Sequence, residues 1–214
     1  MKNQRVKGKK NKNFDFLLDE AKRLGAAEAK IIGSKKVVVE DRVLLKCRTG
    51  CDAYGKKFVC PPHTPTPDEF RNMLREYRSV LIVKFPAEAE AEEGVGRSLH
   101  KHQYSPETSS VLREETKDFW NAWGRDKKRI LLAMLDLEKA AFNRGYTLAV
   151  SLTAGSCTLC AKCEMEVSCS HPTMARYPEH ALGVNVKKTL KNAGISITFP
   201  FVRHPEGVGM LLID

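Results

Sequence analysis

Ser79-Val80-Leu81-Ile82-Val83-Lys84-Phe85 is a nearly continuous apolar run that stops at Pro86. A strand with one wet face alternates apolar and polar side chains, so an unbroken run of this length implies a strand covered on both faces. The order of expected elements around it, a run of strands and then strand-helix-strand-helix-strand, predicts an α/β (or α+β) fold with a partly parallel sheet flanked by helices.

The flanks of this run are read in the same way. Just upstream, Thr66 caps a predicted helix, Pro67 takes its first position, Asp68 and Glu69 favour the positive end of its dipole, and Phe70, Met73, Leu74 and Tyr77 line one face. Nearer the start, Phe14, Leu17, Leu18, Ala21 and Leu24 follow helical spacing up to Gly25, and short extended runs are expected at 30–32, 36–39 and 43–45. Downstream, a helical region is expected from 107 to 144, broken near Gly124 and ended by Gly145, then a strand over 146–152 and a helix over 185–192 before Gly194. Strands near 195–199 and 210–213 complete the expected pattern, as one domain over 14–214 with a variable connection at about 87–110. Gly94 and Gly96 in that connection lack the third glycine of a nucleotide loop, and the nearby His100 and His102 are too closely spaced for a helical metal pair.

All seven cysteines fall in two groups: Cys47, Cys51 and Cys60, and then Cys157, Cys160, Cys163 and Cys169. In the second group two successive intervals of two residues let one loop aim three thiolates at a single centre, which suits a 4Fe-4S cluster. Cys169 is the expected fourth ligand, with Cys60, which precedes a proline, as the alternative. Zinc is the competing metal, although closed zinc sites usually join two separated Cys-x2-Cys knuckles and only one such region exists here. In the first group, Tyr54 stands where a radical-SAM loop would need its third cysteine. Cys47, Cys51 and Cys60 are instead expected to hold a second centre by three corners, with His63 as a possible additional ligand. Cys47 follows one expected strand and Cys157 another, so both metal-binding cysteine loops are placed at strand ends, facing one crevice that Arg203 and His204 also line.

The stretches Cys47 to Gly55, Cys60-Pro61-Pro62-His63-Thr64-Pro65 and Gly155 to Cys163 resemble a family labelled predicted metal-binding proteins, domain of unknown function 2284. The resemblance extends through Pro172, Arg176, Tyr177, Pro178, Glu179, Ala181, Leu182, Gly183 and Val184. Arginine often follows the last cysteine in that family where this chain has Ser170. The resemblance implies metal binding and implies no particular reaction.

Composition narrows the remaining choices. An odd number of closely spaced cysteines favours metal ligation over disulfides and points to a reducing, cytoplasmic compartment. No signal-peptide or membrane-spanning pattern is present. Residues 1–13 carry six basic side chains and read as a disordered arm; the net charge of +10 less those six leaves about +4 on the remainder. The arm has no aromatic residue for base stacking, which argues against nucleic acid as a partner. The expected function is a cytoplasmic iron-sulfur protein with one or two 4Fe-4S clusters, passing electrons to a redox partner protein or small-molecule substrate. Its rivals are an enzyme that uses an open cluster iron for sulfur transfer or dehydration, and a zinc-stabilised nucleic-acid-binding module that uses the arm.

Overall fold

The computed structural model of the chain describes residues 14–91 and 110–214. The basic arm, the Gly94–Gly96 stretch and the His100–His102 pair lie outside these residues. In chain order the elements are α1 (Asp15–Arg23), β1 (Glu28–Gly33), a 3-10 turn (Ser34–Lys36), α2 (Val43–Gly50), α3 (Pro67–Leu74), β2 (Ser79–Pro86), α4 (Ser110–Phe142), β3 (Val150–Leu152), a second 3-10 turn (Glu179–Leu182), α5 (Val186–Ala193) and β4 (Glu206–Ile213).

The strands form one sheet in the order β1-β2-β4-β3, and every pairing is antiparallel. The expected partly parallel sheet is thus corrected: the architecture is α+β with an antiparallel sheet. β2 is indeed covered on both faces. Val80 and Ile82 join Val208, Met210 and Leu212 against Phe70 and Leu74 of α3 and Leu190 of α5. Leu81, Val83 and Phe85 join Leu211 and Ile213 against Leu17 and Ala21 of α1 and Ile130, Met134 and Leu137 of α4. A continuous apolar run reports that double cover, and double cover carries no information about strand direction.

The close seat of α4 on β4 depends on two glycines. A Cβ at Gly207 would collide with Ile130, and one at Gly209 with Met134. α4 runs without a break through Gly124, where added side-chain atoms would meet nothing within 4 Å.

Local signals set several elements. The α3 start is a full capping box: the Thr66 hydroxyl accepts from the Glu69 N–H at 3.3 Å, and the Glu69 carboxylate accepts from the Thr66 N–H at 2.7 Å. α5 begins with Asn185 Oδ1 accepting from the Lys188 N–H at 3.1 Å and ends at Gly194, whose φ of 67° favours glycine.

Three expected strands are corrected. Residues 43–45 open α2, because the Glu40, Asp41 and Arg42 carbonyls accept from the Val43, Leu44 and Leu45 N–H groups and start helical winding. An apolar triplet shows no period by which helix and strand differ. Residues 36–39 are mostly irregular, with a single bridge from Val39 to Val184. Residues 195–199 form no strand.

Candidate metal centre

Cys47 sits on α2 and Cys51 directly follows that helix, so this group does not issue from a strand end as expected. From Cys51 the chain folds back through short turns. The Cys51 carbonyl accepts from the Tyr54 N–H at 3.1 Å, the Lys57 carbonyl accepts from the Cys60 N–H at 3.0 Å, and the Cys60 carbonyl accepts from the His63 N–H at 3.0 Å. Cys60 becomes the most enclosed of the seven cysteines, at 5% exposure, while His63 is exposed. The proline run beyond is fastened by Thr64, whose hydroxyl donates to the Ala181 carbonyl at 3.1 Å.

The second group does follow a strand, since β3 ends at Leu152 and the loop from Thr153 carries Cys157 to Cys169. Its two ends are tied together. The Thr153 N–H donates to the Tyr177 carbonyl at 3.0 Å, and Arg176 forms a two-pronged ion pair with Glu138 of α4 at 2.9 and 2.5 Å. Glu138 also accepts from the Ser151 N–H at 2.8 Å, so one carboxylate holds both the strand and the returning limb of the loop.

Cys157, Cys160, Cys163 and Cys169 all line one cavity of about 10 Å³, which Phe58, Leu159, Glu164 and His171 help to close. That volume is roughly the room one water molecule needs. Sharing a wall is a weaker relation than converging: among the described residues no three His, Cys, Asp or Glu side chains come together tightly enough to hold one ion.

The two cysteine groups meet. Cys60, Ala53 and Val59 form a small buried cluster against which Cys157, Ala175 and Tyr177 pack. Burial pushes the Cys60 thiol up to about 12, with further upward push from Cys51 and Cys47, while Lys57 pulls it down. Burial likewise raises Cys157, against the Leu159 N–H and Lys57, which lower it, while Cys163 and Cys160 raise it further. Cys157 therefore lies near Cys160 and Cys163 of its own group and packs against Cys60 of the other.

Two lysines stand at this junction. Lys57 Nζ donates to the Cys157 carbonyl at 2.5 Å. Lys127 reaches in from α4, its stem 3.1 Å from where a Cβ on Gly155 would sit; φ at Gly155 is +69°, so both space and backbone favour glycine there. Burial lowers the Lys127 ammonium and Lys57 lowers it further, while Cys157, Cys51 and Cys60 act in the opposite sense. Sequence reasoning did not single out either lysine. Lys57 lies between Cys51 and Cys60, a position that invites notice, but Lys127 is remote in sequence from every cysteine.

Arg203 and His204 are held elsewhere. Arg203 pairs with Glu90, His204 Nδ1 is 3.1 Å from the Ala89 carbonyl, and both line a pocket with Phe201 and Pro86 whose wall contains no cysteine.

Thiols in this arrangement make a soft donor set, suited to zinc or iron-sulfur centres rather than to magnesium or calcium. The residues thus fit a metal centre in chemistry, while among the described residues the cysteines stand further apart than a bound ion would hold them. The class to which this donor chemistry points is that of metal-binding proteins. The chain belongs to the family described as predicted metal-binding protein (DUF2284), whose model matches residues 30–213. Comparison with curated proteins and with solved structures finds no match.

Proposed function

We propose that the chain is an iron-sulfur protein of a reducing, cytoplasmic compartment, with a redox or electron-transfer role. In this reading Cys157, Cys160, Cys163 and Cys169 hold a 4Fe-4S cluster, and Cys47, Cys51 and Cys60 hold a second centre beside it. The observation that carries the reading is the packing of Cys157 against Cys60, with Lys57 and Lys127 at the same junction. Two centres built on these groups would be neighbours, as stepwise electron movement requires.

The chain's own residues have definable parts. Lys57 and Lys127 offset the negative charge that thiolates bring into a half-buried site, which otherwise disfavours ionisation. Phe58 and Leu159 keep water from the wall of the second group. Glu138 and Arg176 hold the loop's returning limb in register with β3. A bound 4Fe-4S cluster supplies reversible one-electron chemistry. No helix among the described residues is long and apolar enough to cross a membrane.

A second reading, one zinc ion in the four-cysteine loop, is supported by the four thiols that line one cavity. The deciding experiment is oxygen-free purification with counts of iron, zinc and acid-labile sulfide, alongside EPR spectra. Roughly eight irons per chain support two cubes and about four support one. Zinc without sulfide refutes the iron-sulfur reading. The Cys169→Ser and Cys60→Ser proteins, counted separately, assign each cysteine to its centre.

A further inference from the structure

A second site lies away from the cysteines, between the 3-10 turn Ser34–Lys36 and the corner where α3 leads into β2. It is a groove of about 880 Å³, within the range typical of small-molecule pockets. Its floor is apolar: Val37 and Leu74 are buried, and Val39 and Tyr77 are half-buried. Its rim is basic on both sides. Lys35 and Lys36 rise from the turn, and Arg71, Arg75 and Arg78 from α3 and the corner; no carboxylate lines the groove.

The neighbouring carboxylates offset only part of that charge. Asp41, at 2.6 Å, and Asp68 both hold Arg71, and Asp214 lies 3.7 Å from Arg78. Lys35, Lys36 and Arg75 have no carboxylate partner among the described residues; Arg75 donates to the neutral Asn72 side chain at 3.0 Å. Glu76, Asp214 and Glu138 also act on Tyr77 from behind the rim, yet a cluster of five like charges that is only partly offset raises the local affinity for anions.

The walls are also locked to each other. The Ser34 hydroxyl donates to the Tyr77 carbonyl at 2.5 Å, the Ser34 N–H donates to the Arg78 carbonyl at 3.0 Å, and the Tyr77 hydroxyl donates to the Leu148 carbonyl at 3.0 Å. The two Ser34 bonds connect the sides of the groove and the third fixes the Tyr77 ring, so the groove's shape is present before any ligand arrives, which lowers the ordering cost of binding.

We infer that this groove binds a phosphorylated small molecule of nucleotide size, with its phosphate on Lys35, Lys36 and Arg75 and its flat or apolar body on Val37, Leu74 and Tyr77. Charge complementarity selects the anion, and guanidinium groups match phosphate oxygens in pairs. The apolar floor selects against a bare ion. The concave shape and moderate volume favour a small ligand over a nucleic-acid strand. This inference does not depend on which metal the cysteines hold.

Isothermal titration of the full chain at low salt with ATP, AMP, adenosine and inorganic phosphate tests it. ATP or AMP is expected to bind below ~1 mM and more tightly than either adenosine or phosphate alone. The Lys36→Glu/Arg75→Glu protein, altered only at exposed positions, is expected to lose at least about tenfold in affinity. The Lys128→Glu/Lys139→Glu protein, with the same change of net charge on the exposed side of α4, is expected to keep it within about twofold. Thermal melting of both variants distinguishes a lost site from a lost fold. The inference is overturned if no phosphorylated probe binds, if phosphate alone matches AMP, or if the two folded variants lose affinity equally. Tighter and more salt-dependent binding of a single-stranded oligonucleotide than of ATP would also overturn it.

Discussion

Glu179 offers the most quantitative test of the structure beneath the cysteine loop. It is 1% exposed, one carboxyl oxygen has no hydrogen-bond partner, and burial pushes its pKa from 4.5 up to about 8, opposed only by its own N–H. Its N–H lies 3.4 Å from the Thr153 carbonyl, where the loop leaves β3 and returns past Tyr177. The folded chain therefore keeps this acid protonated through neutral pH, whereas the unfolded chain ionises it near 4.5. A folded pKa raised above the unfolded value gives stability that is complete below about 4.5 and is lost as pH rises through about 8. Between pH of about 5.5 and about 8 the loss attributable to this one group is on the order of 3 kcal/mol, a large part of a typical domain's stability.

Glu179→Gln keeps the shape but cannot ionise. It adds an offset for a buried amide, and that offset is the same at every pH. The informative quantity is thus the slope of stability against pH. Urea unfolding of both proteins, with matched metal content, across this window should show a slope in the wild type that is flattened by about 3 kcal/mol in Glu179→Gln. His180, held below its ordinary value by desolvation and by Lys46, adds stability as pH rises, but equally in both proteins. Identical slopes, or a Glu179 carboxyl that titrates near 4.5 by carbon NMR, would refute the reasoning.

Other predictions follow from packing and charge. Asp126, 2% exposed, accepts from the Glu88 and Ala89 N–H groups at 3.0 and 2.8 Å. Asp126→Ala orphans both donors and should cost about 2–4 kcal/mol in urea unfolding, whereas a cost below 0.5 kcal/mol would sink this account. Gly209→Ala should destabilise by about 1–3 kcal/mol, because the new methyl group displaces Met134 from β4; an unchanged melting temperature would contradict the packing. Lys127→Met should shift the reduction potential of the metal-loaded protein negative by about 40 mV for a one-electron couple, on the order of 1 kcal/mol. An unchanged potential would remove Lys127 from the charge balance of the centre.

The correct and corrected readings differ in the range of the interactions behind them. The start of α3 was legible because Thr66 and Glu69 satisfy each other's backbone groups within four residues, and the end of α5 because Gly194 adopts the left-handed turn itself. β2 was legible as a covered strand, but its partners lie at β1 and β4, and nothing within Ser79–Phe85 specifies their direction. The apolar triplet at 43–45 does not show its helical state, because the winding begins outside it at Glu40–Arg42.

The candidate site divides in the same way. Sequence alone determined which seven thiols are available, how Cys157, Cys160 and Cys163 are spaced on one loop, and membership of a metal-binding family, because these depend on residue identity and local intervals. Only the tertiary structure decided that Cys60 packs against Cys157, that Lys127 of α4 joins Lys57 beside them, and that Arg203 and His204 turn away toward residues 89–90. The physical reason is that burial and electrostatic coupling depend on distance in space. Here that distance is set by how α4, the antiparallel sheet and the two cysteine loops pack together.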